Sequence, residues 1–146
     1  MLFSKTFGYA LRGILYVAMA GGNERKIQLD EIASEIAVSR HFLGKVMKNL
    51  VNEGVLSSQK GPNGGFFINE NTLQVKLFKL IEITGEVEEF GSCVLRLRKC
   101  NAANPCPMHL QIEAMRRQWQ DVLYSTTVGD LLRKDNPDFI KSITTL

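Results

Sequence analysis

Apolar residues recur at steps of three and four through the opening of the chain. Phe3, Phe7, Ala10, Leu11, Ile14, Leu15 and Ala18 share one helical face, which Gly21-Gly22 closes. After a polar turn over 22–26, Leu29, Ile32, Ala33 and Ile36 predict a second, short helix. Ala37-Val38-Ser39 is a tight connection, and Ser39 is a good N-cap for a third helix. Phe42, Leu43, Val46, Met47, Leu50 and Val51 form the buried stripe of that helix, and Gly54 is its natural C′ stop. The pattern then changes. Val55-Leu56 opens a short strand, Gly61-Pro62-Asn63-Gly64-Gly65 is a dense turn signal, and Phe66-Phe67-Ile68 returns as a second strand. Residues 73–83 read as a further helix.

Residues 85–107 have no clear periodicity. A run of that length is long for a structureless loop in a compact domain, which predicts a functional or ligand-ordered segment. Beyond it, Ile112, Met115, Trp119, Val122 and Leu123 mark a strongly amphipathic helix, and a last short helix over 128–133 precedes an irregular tail. The order helix, helix, short turn, helix, hairpin is the plan of a winged helix–turn–helix. The expected class is therefore mainly α with a small β-hairpin wing.

Composition narrows this picture without changing it. A chain of 146 residues is one domain by size, or a small domain with an appendage, and an apolar content of 45% supplies a core. The longest apolar stretch, 14–20, is too short to span a bilayer. In MLFSKTFGYALRGILYVAMAGG, Lys5 and Arg12 interrupt what a signal peptide would keep uncharged. The segment reads as a structural helix, and the chain as a cytoplasmic protein with no membrane partner. There is no nucleophile–base constellation, no phosphate-binding glycine loop before a helix and no pair of carboxylates in a plausible cleft, so an enzyme is not expected.

Charge is unevenly placed. Residues 1–84 hold ten Lys/Arg and seven Asp/Glu, whereas 85–146 hold eight of each. Arg40, Lys45, Lys48 and Lys60 concentrate the excess in the region of the third helix and hairpin. With the apolar stripe buried, Ser39, Arg40, His41, Lys45, Lys48 and Asn49 stay outside. Side chains near the start of that helix reach base edges, and the later lysines suit phosphates. Arg40 could hold guanine by a bidentate contact, and Ser39 with the helix N-terminus could hold a phosphate. The hairpin tip offers Gln59, Lys60, Pro62 and Asn63, with Lys60 able to neutralise a phosphate or enter a minor groove. Each part also admits a plainer reading, as a solvated face or a protein-contact module.

All three cysteines, Cys93, Cys100 and Cys106, fall in one fourteen-residue window, and His109 follows closely: SCVLRLRKCNAANPCPMH. An odd number argues against a closed disulfide framework, and clustered thiols in a reducing compartment point to metal or redox work. Thiolates and imidazole suit iron, zinc or an iron–sulfur cluster. Arg96, Arg98 and Lys99 would favour thiolate formation, and Pro105 and Pro107 bracket and stiffen Cys106. Structural zinc, direct thiol redox chemistry and an inert loop remain alternatives, as does a surface role for His109.

Three stretches together resemble the Rrf family of winged-helix transcriptional regulators, the group of IscR, NsrR and CymR. They are SKTFGYALRGILYVA, then LDEIASEIAVSRHFLGKVMKNLVNEGVLSSQKGPNGGFFI with its glycine-rich wing turn, and the cysteine segment. They span about residues 1–110 and leave the tail outside the match. The resemblance implies a homodimer on a pseudo-palindromic double-stranded DNA operator, with Ile112, Met115, Trp119 and Val122 in the dimer interface. The alternative for that stripe is packing within one subunit.

The resemblance further implies that Cys93, Cys100 and Cys106 ligate an iron–sulfur cluster of the 2Fe-2S or 4Fe-4S kind. The gaps here are six and five residues, and the first is one residue longer than in the family. His109, separated from Cys106 by two residues, matches the histidine of IscR-type members. Some NsrR-like members use an acidic residue from the opening helix of the partner subunit; the matching position here is Gly8, which cannot ligate. The division expected is 1–84 for DNA binding, 85–109 as sensor loop, and 110–146 as dimerisation helix and tail. Control of operator binding by the cluster, through redox, nitric oxide or iron–sulfur status, is the leading expectation. Zinc, direct thiol chemistry, no cofactor, or docking to a metabolic enzyme stand as the alternatives.

Overall fold

In a computed structural model, which describes residues 3–21, 24–97, 99–133 and 142, the opening apolar face becomes α1, Lys5–Gly21. Phe7, Ala10, Ile14, Leu15 and Val17 are buried along it. Gly22, the second glycine of the expected stop, lies outside the described residues. α2, Leu29–Glu35, follows. It ends with Ala37 in the left-handed region at φ 55° and the Val38 N–H donating to the Ala33 carbonyl at 3.0 Å, the 6→1 bond of a Schellman stop.

α3, Arg40–Asn52, starts as its sequence predicts, with the Ser39 hydroxyl accepting the Phe42 N–H. A cap of this kind is worth about 1 kcal/mol. Leu43, Val46, Met47 and Leu50 are buried, and Val51 is half-buried. Phe42 departs from the expected stripe and is 37% exposed. At 3.6 residues per turn it lies on the flank of the Leu43–Val46–Met47–Leu50 face, where the Tyr9 ring of α1 meets it edge-on at 5.6 Å.

The wing begins two residues later than the apolar pair Val55-Leu56, which is buried at the bend instead. β1, Ser57–Gln59, pairs antiparallel with β2, Gly65–Phe67, in the register Ser57↔Phe67, Ser58↔Phe66, Gln59↔Gly65. Ile68 falls just outside the strand. Ile27, just before α2, bridges Phe66 through two backbone hydrogen bonds of 2.8 Å. Gly65 permits that approach: its φ is 140°, and a Cβ there would lie 2.6 Å from the Ile27 carbonyl oxygen.

The helix expected over 73–83 is two pieces, a 3-10 turn Thr72–Gln74 and α4, Leu77–Ile83. Between them, Val75 and Lys76 are extended because their backbone is used elsewhere. The Leu77 N–H donates to Thr126 and the Val128 N–H to Val75, which ties this break to the end of the chain. A short helix, α5, Val87–Gly91, occupies the start of the segment expected to be irregular, with Phe90 buried. α6, His109–Ser125, and α7, Val128–Leu131, complete the order, with α7 opened by a Thr127–Asp130 capping box. The expected irregular tail lies almost wholly outside the described residues. One core joins α1–α4 with Phe90, Leu123 and Val128. Among the described residues no helix is long and apolar enough to cross a membrane.

Candidate nucleic-acid interface and cysteine centre

Burial of one side of α3 fixes what the other side presents. His41, Lys45, Lys48 and Asn49 are exposed there, and Ser39 and Arg40 flank its first turn. Arg40 is held: its Nε donates to the Asp30 carboxylate at the start of α2. The pair is solvent-exposed on both sides, and the terminal nitrogens of a guanidinium form the fork that can donate to a guanine edge. Nothing in the residue pattern singles out Asp30, which reads as ordinary first-turn acid on α2. Among the described residues His41, Lys45, Lys48 and Lys60 form no ion pair.

Lys60, Pro62 and Asn63 are exposed at the wing tip. Gly64 is held so tightly under that tip that a Cβ would fall 2.0 Å from the Gln59 carbonyl oxygen. The start of α2 and the wing are joined by Gln28, whose side-chain amide donates to the carbonyls of Gly64 at 2.9 Å and Pro62 at 3.3 Å.

The cysteine segment, 92–108, runs from α5 to the first turn of α6. Cys100, Cys106 and His109 gather at its far end. The Cys100 sulfur lies 3.3 Å from His109 Nδ1 and accepts the Cys106 backbone N–H at 3.2 Å. Asn101 and Asn104 bridge each other through their backbones, closing the tight turn that brings Cys106 back to Cys100. Cys93 is half-buried nearer α5, in a recess it shares with Glu89, Arg96, Leu97 and Cys100. The three thiols and the imidazole have the donor chemistry a soft metal or cluster needs. Among the described residues, however, no three His, Cys, Asp or Glu side chains are arranged around the position of a single metal ion.

At Cys100 the local contacts work against the expected thiolate. The Cys106 N–H favours ionised Cys100, but partial desolvation, the Cys106 side chain and the charges of Cys106 and Cys93 outweigh it, so the Cys100 pKa is raised. Arg96 is not among the causes, and Arg98 lies outside the described residues.

The loop is anchored at its entry. Glu86 is buried, and its carboxylate accepts the Ser4 backbone N–H at 2.9 Å and the Ser4 hydroxyl proton. The same hydroxyl accepts the Phe7 N–H, so Ser4 caps α1 and fastens the start of α5 at once. Beyond the loop, α6 buries only Leu123. Met115, Trp119 and Val122 are 55%, 41% and 52% exposed, and Ile112 is half-buried. Within the chain the stripe meets little: the Trp119 ring meets Phe3 edge-on at 6.0 Å, and an apolar groove of about 190 Å³ runs between Phe90, Val94, Ile112, Met115 and Trp119.

A helix–turn–helix backed by a single core and followed by a pinned hairpin defines a winged-helix DNA-binding protein. The chain belongs to the Rrf2 family, described as iron-dependent transcriptional regulator, whose profile matches residues 3–134. It is 37% identical over 134 residues to a protein of Aquifex aeolicus (strain VF5) named as a predicted HTH-type transcriptional regulator, covering 90% of this chain and 92% of the relative. It is 25% identical over 125 residues to the HTH-type transcriptional regulator NsrR of Geobacillus kaustophilus (strain HTA426), covering 85% and 84%. The solved structure of CymR, the global cysteine regulator of B. subtilis, superposes with a TM-score of 0.71 at 25% identity, covering 92% of this chain and 98% of that one. These relatives are transcriptional regulators and not enzymes.

Proposed function

We propose that this regulator binds a pseudo-palindromic operator as a cytoplasmic homodimer, and that an iron–sulfur cluster held by Cys93, Cys100, Cys106 and His109 controls that binding. Residues 1–84 read DNA, 85–109 sense, and 110–146 dimerise. In this reading Arg40 and His41 address base edges, while Ser39, Lys45, Lys48, Lys60, Pro62 and Asn63 hold backbone. Ile112, Met115, Trp119 and Val122 meet the twin helix.

The observation that carries the sensing role is the meeting of Cys100, Cys106 and His109 within hydrogen-bonding distance at the start of α6. When bound, a cluster supplies metal–ligand bonds whose strength depends on its oxidation state. The chain's own contribution is linkage. His109 is the first residue of α6. Order in the loop therefore passes directly into the helix that carries the interface stripe, and through that helix into the spacing of two DNA-reading surfaces.

Anaerobic purification with an absorbance spectrum and iron, sulfide and zinc analysis tests the assignment. The expected result is a brown protein with acid-labile sulfide. Each of Cys93→Ser, Cys100→Ser and Cys106→Ser should lose most of the iron and sulfide, because a hydroxyl replaces a thiolate poorly. His109→Ala should retain a cluster with an altered spectrum. Three Cys→Ser variants that bind iron and sulfide like the parent would sink the assignment. Zinc or direct thiol chemistry is the second reading, favoured by the 3.3 Å Cys100–His109 separation of a thiol–imidazole hydrogen bond. A colourless zinc protein, or a metal-free one, would decide for it.

A further inference from the structure

Gln28 occupies the N-cap position of α2, where serine, threonine, aspartate and asparagine are the residues that satisfy the first free N–H groups. It does not act as a cap. Its backbone is extended, at φ −68° and ψ 147°, and its side chain makes no capping hydrogen bond. The amide reaches across to the wing turn and donates to both the Pro62 and Gly64 carbonyls, 34 and 36 positions further along the chain. Those two carbonyls flank Asn63 and lie at the tip that carries Lys60.

The tip turn closes on itself through the Gly64 N–H and the Gly61 carbonyl at 3.0 Å, while the ladder and the bridge to Ile27 hold the base of the wing. Ile27 bridges Phe66, and β1 pairs with β2 up to Gln59 and Gly65. A two-stranded ribbon that short is marginal by itself, and its tip has no further ladder partner. From the Gln28 side chain, the next residues are the first turn of α2, where Asp30 holds Arg40 of α3. Wing tip and recognition helix are thus both referred to the first turn of α2, one through Gln28 and the other through Asp30.

We propose that Gln28 is a positioning residue for DNA recognition: it fixes the wing tip, and with it Lys60, relative to the first turn of α3. It contacts no DNA itself. It acts by removing an alternative wing pose in which Lys60 misses its phosphate while Arg40 sits in the major groove. The inference rests on the DNA-reading role given above to Lys60 and α3.

The discriminating substitution is Gln28→Ser, because serine restores an N-cap and so protects the fold while removing the reach to the wing. The probe is a duplex selected by the parent protein from a randomised library, titrated with each full-length variant at several salt concentrations and equal metal content. Gln28→Ser should keep or raise the thermal midpoint, yet weaken binding by about three- to tenfold, the span expected for about one net hydrogen bond's worth of lost order. Lys60→Ala should weaken binding and reduce the salt slope by about one. In the Gln28→Ser background the Lys60→Ala loss should shrink, because Lys60 is already misplaced.

If Gln28→Ser binds like the parent while Lys60→Ala weakens binding, or if the two losses simply add, the positioning role is overturned and the DNA-reading role of the wing survives. If Lys60→Ala changes neither affinity nor salt slope, the wing reading itself fails and this inference fails with it.

Discussion

Tyr16 shows how one side chain sets a pH limit on this fold. Its hydroxyl donates to Glu31 at 2.8 Å, and Arg25 pairs with the other oxygen of that carboxylate at 2.6 Å, so α1, α2 and the turn between them share one polar joint. Burial, and then the Glu31 carboxylate, push the Tyr16 pKa from its ordinary 10.0 to about 12. The sign follows from proton uptake. Below pH 10.0 folded and unfolded chains both keep the phenol proton, and the contribution to stability is complete; between 10.0 and about 12 only the folded chain keeps it, so stability falls as pH rises through that window. Urea unfolding across the window should show a steeper loss for the parent than for Tyr16→Phe, which has no proton to lose. Equal slopes would mean that the joint is not formed in solution.

Elements were legible wherever a side-chain period reported the backbone directly. α1, α2, α3 and α6 stand where steps of three and four place them, and Ser39 caps α3 as its position before the stripe requires. The failures have causes distant in sequence: a backbone committed to a remote partner in one case, a side chain set against another helix in the other. Val75 and Lys76 keep helical spacing in their neighbours but pair with 126–128. Phe42 keeps the apolar character of a core residue, yet lies on the flank of α3, against Tyr9. In the candidate site the cysteines and histidine could be read from spacing, whereas Asp30 and Gln28 could not, since only the fold brings them to Arg40 and the wing. Their one local sign is Gln28 itself, a poor capping residue at a helix start.

The turn inside the helix–turn–helix carries a testable cost at the same scale. Ala37 adopts φ 55°, which glycine reaches without its Cβ crowding the carbonyl. Ala37→Gly should raise unfolding free energy by about 0.5–1 kcal/mol, the steric relief outweighing the added freedom of the unfolded chain. Chemical denaturation would check it, and a loss of stability would place the strain elsewhere.

At the scale of the whole molecule, α6 stands out as a helix with its apolar stripe uncovered. An isolated subunit that leaves Met115, Trp119 and Val122 about half exposed in one line presents a patch of the kind that marks an interaction site. Met115→Glu with Trp119→Glu should therefore yield monomers by sedimentation, with operator binding weakened far more than any single phosphate contact would explain. A well-folded parent that sediments as a monomer at micromolar concentration would defeat the dimer.

The fastening of Ser4 to Glu86 gives this assembly its topology. The two residues stand 82 positions apart, and the residues proposed to meet DNA lie between them. The joint turns that length of chain into a closed circuit, with recognition helix and wing on its perimeter and the cysteine segment at its clasp. At that clasp the start of α1 and the start of α5 are one joint, held by the two hydrogen bonds from Ser4 to the Glu86 carboxylate.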